Sequence, residues 1–165
     1  MPEIVWILLV PLAWLFTALT FRRLRRGTQG FAERNLLKSR LPVWVASFEG
    51  AVLAVLWIAA SLGLLFLFVR LHAGFHPRVS AKNVGELAMM LICTGSFAAA
   101  LVPSMLLANL ISWLAPPVRK ANERAMAGLP TTTFANANRG LVLMGAVVVP
   151  MALAQGLLGA IEPWV

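Results

Sequence analysis

The chain is predicted to be an all-α, polytopic integral membrane protein: a four-transmembrane-helix bundle with two short cytoplasmic amphipathic segments. Three observations predict it. Four apolar stretches are each long enough to cross a bilayer, and most of the positive charge falls in the first and third connections between them. The strict alternation of barrel strands is absent, and continuous apolar runs such as residues 51–60 and 62–69 favour helix. Hydrocarbon offers no water to a backbone amide, so a spanning segment closes its own hydrogen bonds as a helix of roughly 20 residues.

The first span is read over residues 4–21, which carry no charge. Met1-Pro2-Glu3 precedes this run, and Arg22, Arg23, Arg25 and Arg26 follow it. That is the reverse of a cleavable signal and the layout of an anchor with its N-terminus outside. Residues 28–41 are expected to form a short helix on the inner surface. Phe31, Leu36, Leu37 and Leu41 would lie against lipid, with Arg34, Lys38 and Arg40 toward the headgroups. Pro42 resets the chain. The second span covers 43–69, interrupted only by Glu49, and the third covers 87–114 without charge. Pro116-Pro117 ends the third, and residues 118–127 can form a second short helix supported by Arg119 and Glu123 at i,i+4. Thr133 is expected to cap the helix that becomes the fourth span, 141–161. The whole chain, 1–165, reads as one transmembrane domain.

Charge gives the direction. There are 14 Lys and Arg against 6 acids, a net charge of +8. Seven basic residues fall in the first connection, three in the second and four in the third. Basic loops resist translocation, so the first and third connections are placed in the cytoplasm and both termini outside. Trp6 and Trp164 then fall near the outer boundary, Trp44 and Trp113 near the inner one, and Trp14 and Trp57 within the packing. The basic loops imply attraction to anionic lipid headgroups and no nucleic-acid partner. A bacterial inner (plasma) membrane suits this layout.

Polar groups within the spans are the candidates for function. Glu49 lies roughly 9 Å inside the inner boundary at 1.5 Å per residue, where an acid is costly unless paired, protonated or hydrated. Asn109 and Thr17 reach similar depths, and Arg139 stands at the mouth of the fourth span. Glu49, Asn109, Thr17 and Arg139 are expected to converge on one inner-facing polar pocket; the alternative is that Glu49 simply pairs with Arg40, Arg124 or Arg139 and holds the bundle together. Nearer the outside, Gln155, Ser61, Cys93 and Thr94 read as interhelical glue. Ala46, Gly50 and Ala54, and likewise Ala152, Gly156 and Ala160, form ladders for close helix contact, internal or between chains.

Much chemistry is missing. The chain has no Asp and no Tyr, and a single Cys that cannot form an internal disulfide. His72 and His76 are placed in the external loop, where Gly74 and Pro77 argue against the helix that a metal site at i,i+4 would need. No catalytic residues, metal or cofactor are assigned. The leading functional expectation is a non-catalytic subunit or assembly partner of a membrane complex. An oligomeric small-solute transporter or channel using Glu49 and Asn109 ranks second, and a lipid-modifying enzyme third. The partners implied are the bilayer and either a homo-oligomer or a larger membrane complex.

Overall fold

The computed structural model describes residues 3–77, 85–130 and 132–161, without the side chains of residues 3–18, Phe21 and Phe31. Arg78, Lys82, Thr131 and Trp164, and the side chains of Trp6, Trp14, Thr17 and Phe31, lie outside that set. The described chain is all helical: α1 (Glu3–Ser39), α2 (Val43–Phe75), α3 (Glu86–Leu114), α4 (Pro116–Met126) and α5 (Thr133–Ile161). Three of these, α2, α3 and α5, are long and apolar enough to cross a membrane. In lateral order the long helices run α1, α5, α3, α2, with α2 also touching α5 and the short α4 set against α3.

The first connection departs from expectation. Residues 28–39 are not a separate surface helix but the continuation of α1, unbroken from Glu3 to Ser39. Arginine is a good helix former, so the run from Arg22 to Arg26 supplies no stop signal, and each lone glycine costs only about 1 kcal/mol. The face presented also differs. Gly27, Gly30, Arg34 and Leu37, spaced three or four apart, are buried against the rest of the bundle, whereas Leu36 is exposed. Arg34 and Leu37 therefore point into protein, not toward headgroups and lipid. Arg40 and Leu41 turn back onto the carbonyls of Leu37 and Lys38, and Pro42 stands immediately before α2.

The seams along α5 explain the glycines. A Cβ added at Gly30 would lie 2.5 Å from the Gly140 Cα, and one added at Gly95 would lie 2.7 Å from both the Ala152 carbonyl oxygen and the Gly156 nitrogen. Backbone thus meets backbone between α1 and α5 and between α3 and α5, an approach that only glycine allows. The Ala152, Gly156 and Ala160 ladder is buried in this packing, with the Phe68 ring seated over Gly156. By contrast Ala46, Gly50 and Ala54 all face outward, and nothing approaches the position of a Gly50 Cβ within 4 Å.

Two apolar clusters mark the ends of α2. Val45 packs with Val118 and Ala121 of α4, and Phe68 packs with Ile92 and Ala160. Between them Trp57 donates from Nε1 to the Phe97 carbonyl at 2.8 Å, its ring edge-on to Phe97. Further toward the Phe68 end, Gln155 of α5 donates to the Thr94 hydroxyl of α3. Helix α4 begins directly at Pro116 and Pro117, tolerated there because the first helical N–H groups have no intrahelical partner. Its Arg119 and Glu123 approach to 3.7 Å, and it ends before Gly128 at φ 78°. α5 starts two turns before the fully apolar stretch, and Asn136 bonds the Thr132 carbonyl. Thr132, not Thr133, therefore holds the cap position, while Thr133 is buried as the first helical residue.

At the other end α2 runs past the apolar stretch to Phe75, so His72 lies on a helix and His76 forms its C-terminal cap, not an irregular loop. His72 Nδ1 lies 3.2 Å from the Ala160 carbonyl and His76 Nε2 lies 2.9 Å from that of Ile161. A carbonyl only accepts, so both ring nitrogens donate, filling positions that the last turn of α5 leaves open. The two imidazoles are thus engaged with backbone, and among the described residues no group of three His, Cys, Asp or Glu converges to hold a metal.

The seams yield a contrast in stability. Gly30→Leu is expected to destabilise the protein by about 1–3 kcal/mol or more through overpacking against Gly140, whereas Gly50→Ala should not. Thermal unfolding in detergent would show it. Equal effects at both positions would contradict the packing described.

Candidate functional site: a polar cavity at the α4 end of the bundle

The end of α1, the start of α2, the end of α3, α4 and the start of α5 converge at one end of the molecule. There they line a small, partly open cavity of about 30 Å³, bordered among others by Arg34, Lys38, Glu49, Asn109, Ser112 and Asn122. That volume admits a water or two and is far below what an organic substrate or lipid headgroup needs.

Glu49 is 8 % exposed, carried inward one turn after Val45 on the face of α2 that meets α4. Its Oε2 lies 3.7 Å from Lys38 Nζ, and its Oε1 accepts from Asn122 Nδ2 at 3.3 Å. The same amide nitrogen also donates to the Val118 carbonyl one turn earlier in α4, which fixes the side chain. Asn109 donates to Asn138 Oδ1 at 2.9 Å, and Asn138 in turn donates to the Phe134 carbonyl. Trp113 stacks on Phe134 with ring centres 5.2 Å apart, placing an aromatic wall beside this relay.

Charge in this cavity is unbalanced. Arg34 is 6 % exposed, and among the described residues its guanidinium makes no hydrogen bond and has no ion-pair partner. Both cations lie past the apolar stretch of α1. Burial lowers the Arg34 pKa from its ordinary value, with Glu49 opposing the shift. Burial lowers that of Lys38 as well, reinforced by neighbouring Arg34 and again opposed by Glu49. One carboxylate thus faces two cations. Ser112, 2 % exposed, turns a hydroxyl with no partner into the same wall.

The four residues singled out from sequence do not all meet. Glu49 and Asn109 line this cavity. Thr17 belongs to α1, but its side chain lies outside the described residues. Arg139 does not join them: it lines a separate groove with Arg26, Gln29, Glu33 and Asn136 at the α1–α5 seam. The physical reason is helical register, since Asn138 turns toward α3 and its neighbour is rotated away by about 100°. The ion-pair partner of Glu49 is Lys38, not Arg40, Arg124 or Arg139.

Sequence reasoning missed Arg34, Lys38, Ser112, Asn122 and Asn138. A signal was present for the first two. Arg34 and Lys38 stand four apart on the stripe that also carries Gly27, Gly30 and Leu37, and it turns inward once α1 is continuous. Asn109 and Ser112 likewise share a face of α3 at i,i+3. Nothing in the sequence places Asn122 beside Glu49, because that depends on how α4 folds back.

Removing the carboxylate should expose the imbalance. Glu49→Ala is expected to destabilise by about 2–4 kcal/mol, the cost of breaking a buried pair discounted for a Lys38 side chain that is 37 % exposed. Adding Lys38→Met should recover part of that loss. A double-mutant cycle of unfolding in detergent measures the coupling, and strictly additive effects would show that the pair contributes nothing.

Compared with family models, curated proteins and solved structures, the chain matches none.

Proposed function

We propose that the chain is a non-catalytic subunit of a membrane complex, seated in the bilayer by four spans, with residues 4–21 of α1 as the fourth. In this reading the first and third connections face the cytoplasm of a bacterial cell and both termini lie outside, as the charge bias favours. Its basic end would rest against anionic headgroups.

One observation carries the reading: the polar side chains along the seams between helices mostly tie helix to helix. Glu49 binds Lys38 and Asn122, Asn109 binds Asn138, Gln155 binds Thr94, and Trp57, His72 and His76 bind backbone carbonyls of neighbouring helices. Such bonds hold a bundle together. The outer surface supports the same reading. α2 is the least enclosed of the three apolar helices and turns Ala46, Gly50 and Ala54 outward, the spacing over which a transmembrane helix of another chain can approach closely.

Extraction from native membranes in mild detergent tests this. A stoichiometric partner chain should co-purify with the wild type and be lost from Gly50→Leu, whose own stability should be unchanged because Gly50 faces open space. Recovery of the wild-type chain alone, or equal retention of the partner by both forms, would overturn the proposal.

A further inference from the structure

The cavity at the α4 end has properties that bracing alone does not account for. A purely structural ion pair would be neutral, yet Arg34 and Lys38 face a single carboxylate, leaving one positive charge in excess. Both oxygens of that carboxylate are engaged, Oε1 by Asn122 and Oε2 by Lys38. Arg34 is 6 % exposed as a residue and its guanidinium makes neither hydrogen bond nor ion pair among the described residues, and the buried Ser112 hydroxyl is also without a partner. A buried donor left unmade, as the Ser112 hydroxyl is, costs about 1–3 kcal/mol, and a largely desolvated cation without a close partner favours a counter-ion. The protein has thus set two strong donors around a space that an object the size of a water molecule fills.

We propose that this cavity binds a small inorganic monoanion of halide size, held by the Arg34 guanidinium and the Ser112 hydroxyl and balanced by the excess charge of the Arg34–Lys38–Glu49 cluster. The water-sized volume suits a small ion better than a polyatomic headgroup. The excess charge favours an anion over a second cation, and chloride is the abundant ion of that class. The site is independent of the subunit reading: a brace, a transporter or an enzyme could each carry it.

The test is thermal unfolding of the full chain in lipid nanodiscs of zwitterionic composition. The buffer is sodium gluconate, with chloride or bromide titrated in at constant ionic strength. The wild type should show a saturable rise in Tm, on the order of 4 °C at ten times the half-saturating concentration. Ser112→Ala should be at least as stable as wild type in gluconate, because it removes an unpartnered hydroxyl, and should lose most of the halide response. Arg34→Gln should abolish that response. If that variant does not fold, Ser112→Ala alone decides. A halide response undiminished in Ser112→Ala, or no saturable response in the wild type, would overturn the assignment. So would a rise produced only by phosphate or by anionic lipid in the discs, which would point to a headgroup at this end instead.

Discussion

Close approach of glycine backbones along α5 is the constraint on which the remaining architecture rests. In hydrocarbon there is little hydrophobic gain in pressing one helix on another, so association depends on contact area and on short-range polar bonds. Gly140 against Gly30 on one flank, and Gly156 against Gly95 on the other, bring α1 and α3 within reach of α5. That proximity sets the side-chain geometry around it. With α1 lying on α5, Arg34 and Lys38 turn toward Glu49; with α3 lying on α5, Asn109 meets Asn138 and Thr94 meets Gln155.

The polar cavity is therefore a product of packing as much as of composition. Its lining residues come from all five helices, so no segment of the chain contains it. The charges illustrate the point. Arg34 sits within a strongly basic stretch, where it looks like one more headgroup contact, yet the continuity of α1 swings it inward. Arg139, which looked well placed at the mouth of a span, is turned to a different face of α5, at the α1–α5 seam, by a single step of helical register.

The extent to which the sequence was legible follows from the range of the forces involved. Long apolar runs are a local property, and α2, α3 and α5 emerge close to where hydropathy puts them. Helix ends were less legible, because polar residues that are neutral toward helix prolong it. Arg70 to Gly74 extend α2 past its apolar stretch, whereas α5 starts within one residue of where a cap at Thr133 would start it. The Ala152 ladder and the Ala46 ladder look identical in the sequence, yet one is buried and the other faces outward; only the arrangement of neighbours separates them. Of the candidate site, Glu49 and Asn109 could be read from the cost of polar groups at depth. The amide of Asn122 could not, because its position is decided by the turn at Gly128 and the seating of α4 on α2 and α3.

The pairing of His72 and His76 with the last carbonyls of α5 bears on the order of assembly. These bonds join residues 88 and 85 positions apart. The chief packing neighbour of α1 is likewise the final helix. A chain synthesised from its N-terminus thus exposes the glycine seam of α1 and the imidazoles of α2 to lipid and water until α5 is made and slots between α1 and α3. Until α5 is made, α1 lacks its main packing neighbour among the described helices.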